Sequence, residues 1–398
     1  MQIVAHQDDD LLFQSPDVLH DVQAGRCVRT VFVTAGDAAQ DADYWLGREA
    51  GSRAAYAEMA GVADTWTTSE LEVDGRPIRV QTLTAASRIS LVFMRLPDGN
   101  RQGTGMIRHH HESLMRLWQS SVTSITAVDG SASYIDSSLR TTLTALMVDF
   151  APTTVRTEDW TAEFGKGDNA DHIATALYVR AAQRDYAAAH TLLGYGGYPT
   201  WTRPPNVAGT DLFAKQSAFE TYAVDDARMC LRPWCPGSLV ASIRLARQYV
   251  VGSESSGNSA RLPGVTVTAS SQNRRAGQTA SQAVDGLALG YPRNPAEEWA
   301  TVRGHEGSWI QLDFPAPTVV NGVVLADRPN LSDQVTGATL LFSDGTTVVI
   351  GALANNGSSG SFRFASRTTT SVRVTITSVS GSTQNAGLAE LETYATMP

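Results

Sequence analysis

Apolar positions in the first 250 residues follow two periods in alternation. Ile3-Val4 and Val28-Arg-Thr-Val-Phe-Val-Thr are short β-branched runs that read as strands, ending in Ala-His and Ala-Gly. Between them, Asp17 to Ala24 has the spacing of a short helix. Arg48 to Gly61 is a run of good helix formers closed by glycine. Leu139, Leu143, Leu146, Met147 and Phe150 recur at helical spacing, with Pro152 as the stop. Thr153-Thr-Val-Arg-Thr then reads as a strand and Asp171 to His190 as a helix. Strand and helix in alternation predict an α/β unit built on a Rossmann-like parallel sheet covered on both faces.

Beyond residue 264 the helical period disappears. Val265-Thr-Val-Thr-Ala, Trp309-Ile-Gln-Leu-Asp-Phe, Val319-Val-Asn-Gly-Val-Val-Leu, Ala338-Thr-Leu-Leu-Phe, Thr346-Thr-Val-Val-Ile and Val372-Arg-Val-Thr-Ile-Thr are short β-type runs. Turn signals such as Asp344-Gly345 separate them, and the spacing predicts an all-β sandwich. Gly252-Ser-Glu-Ser-Ser-Gly-Asn-Ser is a polar, small-residue stretch of the kind that joins domains. The expected organisation is an α/β domain over 1–251, a linker over 252–264 and a sandwich over 265–398.

Composition narrows the function classes. The 398 residues hold 40 acidic and 31 basic side chains, a net charge of -9, which leaves no electrostatic footprint for nucleic acid or anionic lipid. No apolar run reaches the ~20 residues of a membrane helix. A soluble chain is expected, cytoplasmic or exported after loss of a signal; the oligomeric state is not legible. Three cysteines are too few and too scattered for a disulfide framework. Cys230 and Cys235 either close a small loop or remain two thiols.

The chemistry concentrates directly after the first strand, in Ala5-His6-Gln7-Asp8-Asp9-Asp10. Ligands of open α/β sheets bind beyond the carboxyl ends of strands. His6 and Asp9, three apart where the chain turns into a helix, can point to one side and offer zinc an imidazole and a carboxylate. The plain alternative is an acidic helix N-terminus favoured by the helix dipole. A third ligand must come from elsewhere. His172 stands out, because Gly167-Asp-Asn-Ala-Asp-His follows a strand and opens a helix. His20 and His190 fall in or at the end of helices, where solvated or capping roles are expected. His109-His110-His111 reads as a polar loop near a substrate at best, since adjacent histidines do not share a face.

These residues resemble the signatures of the LmbE-like or PIG-L deacetylases, zinc hydrolases that remove the acyl group from N-acetylglucosamine units. Ala5-His6-Gln7-Asp8-Asp9-Asp10 is similar to their Ala-His-Pro-Asp-Asp-Glu, and Asn169-Ala170-Asp171-His172 to their His-x-Asp-His. The resemblance covers roughly residues 1 to 250. It implies that His6, Asp9 and His172 hold zinc and that Asp8 is the general base. Arg48 and Asp98, the latter in Leu96-Pro-Asp-Gly, match positions that hold the sugar. Gln7 and Asp10 depart from the pattern without touching the metal. Asn169 departs where the family has a histidine that serves as acid or oxyanion partner. Asparagine donates a hydrogen bond but carries no proton or positive charge. Read this way, Asn169 is a catalytic-site position weakened by an inactivating substitution or by natural variation.

In the second half, Ala269-Ser-Ser-Gln, Ala283-Val-Asp-Gly, Gly307-Ser-Trp-Ile-Gln-Leu and Gly387-Leu-Ala-Glu-Leu-Glu-Thr-Tyr resemble galactose-binding-like (discoidin, coagulation-factor type C) sandwiches. That resemblance implies carbohydrate or cell-surface attachment, or else a stabilising appendage without a ligand. Asp327-Arg-Pro-Asn330 is expected on a loop, as the patch to watch. The two-domain layout is similar to that of deacetylases in glycopeptide-antibiotic biosynthesis of the teicoplanin type, with a GlcNAc-bearing glycopeptide or small molecule as substrate. The rivals are deacetylation of a cell-wall or small-thiol precursor sugar, and a catalytically silent carbohydrate-binding protein.

Overall fold

The computed structural model describes residues 1–186, 188–229, 238–262, 264–286, 288, 290–291 and 295–397. Cys230 and Cys235 lie outside them. The chain forms two compact units, Met1–Val251 and Gly252–Pro398.

In the first unit the sheet is built from β1 (Gln2–Val4), β2 (Val28–Thr34), β3 (Trp66–Val73), β4 (Arg76–Leu83) and β5 (Ile89–Leu96). A small separate hairpin, β6 (Ile125–Thr126) with β7 (Ser133–Tyr134), precedes β8 (Thr154–Glu158) and β9 (Thr191–Tyr195). The strand order is β9-β8-β1-β2-β5-β4-β3. The five strands β9, β8, β1, β2 and β5 run parallel, as the alternating pattern predicted. The β3–β4 hairpin adds an antiparallel edge that the pattern did not predict. Its outer strand is mostly exposed, so it carries no apolar period strong enough to read.

Helices α1 (Asp17–Gln23), α2 (Ala42–Met59), α3 (Leu114–Trp118), α4 (Asp136–Phe150), α5 (Ala170–Ala182), α6 (Gly209–Ala223) and α7 (Ser238–Leu245) complete the unit. The expected helix from Asp171 to His190 is shorter: it ends at Ala182, passes through a 3₁₀ turn and releases the chain into β9. One continuous core joins Val4, Leu11 and Phe13 to Phe32, Tyr56, Phe93, Phe219 and Tyr222. Because β1 is flanked by β2 on one side and β8 on the other, the crossovers diverge there, and the crevice beyond its carboxyl end is the expected place for a site.

The stretch expected as a linker is structured in its described residues. Strand β10 (Val250–Ser255) and a 3₁₀ turn at Ser259–Arg261 occupy it, with Glu254 and Ala260 buried. Its small polar residues make turns and caps instead, as where the Asn258 side chain accepts from Ala260 N. Beyond it lie β11 (Thr266–Ala269), β12 (Trp299–Ala300), β13 (Trp309–Ala326), β14 (Val335–Phe342), β15 (Thr347–Ile350), β16 (Ser359–Val379), β17 (Gly387–Leu388) and β18 (Glu390–Tyr394). All pairings are antiparallel, in the order β11-β13-β16-β14-β15 with β18 also on β13. The two runs at 309–314 and 319–325 are one long strand, bulged between Asp313 and Thr318, where Pro315 and Pro317 cannot donate to a ladder. The Asp344-Gly345 turn is present, with Gly345 at φ 81° and Asp344 Oδ1 accepting from Thr346 N. The Asp327-to-Asn330 segment is a loop, but not an open patch. Asp327 and Arg328 are buried, and Arg328 is held by Glu298 (2.8 Å) and Asp333 (2.9 Å).

Candidate metal centre and active site

Four parallel strands deliver their following residues to one edge of the sheet: His6 to Asp10 after β1, Asp37 after β2, Asp98 after β5 and Asp168 to His172 after β8. After β1 the chain turns into a π-helical turn, Asp10–Gln14, and α5 opens at Ala170.

These two helical starts bring His6, Asp9 and His172 together, all buried, with one potential ligand atom from each lying within 4.8 Å of the others. Asp9 Oδ2 accepts from His6 N (2.7 Å) and pairs with His6 Nδ1 (2.9 Å). Its other oxygen lies 3.1 Å from His172 Nε2 without forming a hydrogen bond. Burial alone would raise the Asp9 carboxyl, but His172 and His6 outweigh it and hold the group well below the usual carboxylate range. His172 Nδ1 is held by Asp168 Oδ1 at 2.9 Å, which aims the opposite nitrogen at Asp9. A second group of potential ligands, His6, Asp98 and Asp171, shares His6.

Whether these residues suit a metal is answered by the atoms left over. His6 Nε2, His172 Nε2 and Asp171 Oδ1 are buried without a hydrogen-bond partner, and each such atom costs about 1–3 kcal/mol unless something satisfies it. Two imidazoles and a carboxylate with orphaned atoms fit a divalent cation of the zinc type, with the Asp168 carboxylate behind the His172 imidazole.

Asp8 is placed beside this cluster by Arg48, whose Nη2 donates to Asp8 Oδ1. The remaining guanidinium nitrogens are also engaged. Nη1 donates to Gly36 O (2.8 Å), while Nε donates to Tyr222 Oη (2.8 Å) and lies 3.0 Å from Asp226 Oδ2. Arg48 therefore orients a carboxylate of this chain. Burial pushes the Asp8 carboxyl up, opposed by Arg48 and reinforced by Asp9. Below the cluster, Glu158 accepts from Ala5 N (2.6 Å) and is pushed up to about 8 by burial and by Asp9.

Asp98 is buried, with Oδ1 accepting from Asn100 N (2.7 Å). Asn169 is the N-cap of α5, its Oδ1 accepting from Asp171 N at 2.9 Å. Its amide NH₂ makes no hydrogen bond to the described residues. Of the three adjacent histidines, only His109 joins the site, through Asp37 (2.8 Å). Sequence reasoning missed Asp37, Asp168, Tyr222 and Asp226; Asp37, Tyr222 and Asp226 have partners far away in the chain, whereas Asp168 lies one helical turn before His172, a spacing that could have found it.

Residues 1–183 match the family model described as GlcNAc-PI de-N-acetylase (PIG-L), and residues 259–394 match a domain of unknown function, DUF7402. The chain thus carries an amino-terminal PIG-L domain followed by an antiparallel β-sandwich. No curated protein matches it. Among solved structures, the sandwich is similar to a family 32 carbohydrate-binding module from Clostridium perfringens in complex with galactose, at 17% identity over 32% of this chain and 92% of that one, TM-score 0.27. A chitosan-binding module from Paenibacillus sp. IK-5 is 26% identical over 35% of this chain and 98% of that one, TM-score 0.28. The lectin domain of lectinolysin, complexed with Lewis B antigen, is 22% identical over 36% and 99%, TM-score 0.29.

Proposed function

We propose that this protein is a zinc-dependent N-acyl hydrolase that frees the amine of an N-acetylglucosamine unit. The observation that carries the reading is the buried set His6, Asp9 and His172 with Asp8 beside it, inside the segment that matches the de-N-acetylase model. His6, Asp9 and His172 would hold the metal, and a bound zinc supplies polarisation of the amide carbonyl and a more acidic water. Asp8, oriented by Arg48 and made more basic by burial, would take a proton from the attacking water and pass it to the departing nitrogen. Asp98 accepts from a sugar hydroxyl. The Asn169 NH₂ donates to the carbonyl oxygen as negative charge grows there, but an amide delivers no proton to the departing nitrogen.

On the finer scale, the resemblance favours N-acetylglucosamine on a glycosylated peptide core, in glycopeptide-antibiotic tailoring. Asn169 alone favours a second reading, a silent sugar-binding protein. Amine release from N-acetylglucosaminyl conjugates and from an N-acylated glycopeptide pseudoaglycone, measured with zinc-loaded protein before and after Asn169→His, tests the proposal. We expect kcat to rise by about 10²–10⁴-fold with little change in substrate Kd. Equal rates would remove position 169 from the chemistry, and no release by either form would favour the silent protein.

A further inference from the structure

Asp8 and Arg48 lie within the segment 1–183 that matches the de-N-acetylase model, but two of the groups that hold Arg48 lie beyond it. They come from the corner at 222–226, where α6 ends and the chain meets α2. Two glycines of α2 make that approach possible. A Cβ on Gly47 would stand 2.5 Å from Asp225 O, and one on Gly51 2.4 Å from Tyr222 O. Tyr44, Gly47, Arg48 and Gly51 are three, four and seven apart and share one helix face, so a corner seated on the glycines also meets Arg48. Ser217 and Thr221 fasten α6 to α2 a second time, both donating to the Glu58 carboxylate.

Asp226 is buried in this corner with both oxygens engaged. Oδ1 accepts from Arg228 N (3.0 Å) and Tyr44 Oη (3.3 Å), while Oδ2 accepts from Tyr222 Oη (2.6 Å) and lies 3.0 Å from Arg48 Nε. Tyr222 Oη in turn accepts from Arg48 Nε (2.8 Å). Burial raises the Tyr222 phenol well above its ordinary value, so it keeps the proton that it gives to Asp226. Arg48 is thus one buried cation between two buried carboxylates, Asp8 and Asp226. A single carboxylate balances a single cation, and burying a second one is costly. What the second one adds is orientation. A guanidinium is a rigid planar fork, so anchoring two of its nitrogens fixes where the third points. Gly36 O anchors Nη1, the corner anchors Nε, and Nη2 is thereby aimed at Asp8.

We infer that Asp226, together with Tyr222, is a positioning residue for the proposed reaction: it locks the Arg48 fork and through it aims Asp8. This rests on the deacetylase reading for the role of Asp8. The α6 corner, outside the segment that matches the family model, then completes the support of the base.

The test uses the zinc-loaded full chain and two readouts. One is solvent exchange of the Arg48 Nε proton by nitrogen-15 NMR, its signal assigned by loss in Arg48→Lys. The other is kcat for amine release from N-acetylglucosaminyl conjugates. In Asp226→Asn and in Tyr222→Phe the Nε proton should exchange about fivefold to tenfold faster, the size of a single hydrogen bond. In both, kcat should fall about tenfold while KM moves less than about twofold and zinc content is unchanged. Tyr222→Phe keeps the ring and carries the test alone if Asp226→Asn does not fold. Because the corner acts through Arg48, adding either substitution to Arg48→Ala should cost no further kcat. Unchanged exchange or unchanged kcat in both variants, or losses that multiply with Arg48→Ala, would overturn the positioning role. Faster exchange with no amine release by the unaltered chain would instead overturn the deacetylase reading and keep the lock on Arg48.

Discussion

Arg48 is tied down by partners that only the fold brings near. Its nitrogens reach Gly36, Tyr222, Asp226 and Asp8, up to 178 positions away in sequence. Arg48→Ala should leave zinc content intact and lower kcat by at least tenfold, because Asp8 loses the cation that orients it; steady-state kinetics with metal analysis checks this. Asp168→Asn should weaken zinc about 10–100-fold, read by competition with a chelator, since Asp168 fixes the His172 ring. Lys215 is buried, donates to Leu12 O and Arg247 O, and is lowered by burial to about 7 from 10.5. The unfolded chain therefore binds the extra proton between pH 7 and 10.5, and the stability of wild type relative to Lys215→Met should rise with pH across that window. A flat difference in denaturant midpoints from pH 7 to 10 would contradict it. His6, Asp8, Asp9 and His172 were legible in sequence because each pair sits within one short motif. Asp37 and Asp226 were not, because only the fold brings His109, Asp98 and Arg48 near them.

At the scale of elements, α5 carries a lesson about Asn169. In sequence it reads as a missing histidine, yet asparagine is among the favoured N-cap residues, and here its Oδ1 closes the first turn of the helix that presents His172. Asn169→Ala should cost about 1 kcal/mol in chemical denaturation, and Asn169→Ser much less. Equal losses would show that the cap is not what the side chain contributes to folding. The parallel strands were legible because they are short, β-branched and followed by chemistry. The β3–β4 hairpin was not, because its exposed positions erase the period. The doubled β13 was misread as two strands because prolines at a bulge look like a turn.

At the scale of the molecule, all proposed site residues lie within Met1–Val251, which has its own core, and the sandwich residues pack around another. No helix of the described residues is long and apolar enough to cross a membrane. A fragment ending at Val251 should therefore fold and bind one zinc, whereas an unfolded fragment would mean that the boundary is wrong. The proposed reaction needs His6, Asp9 and His172 to hold the metal and Asp8 to act as base beside it. The most direct measurement is zinc stoichiometry with amine release for His172→Ala and Asp8→Asn, side by side with the unaltered chain. His172→Ala should lose zinc, while Asp8→Asn should keep it at full occupancy without turnover. Zinc retained at full occupancy in His172→Ala would remove His172 from the ligand set.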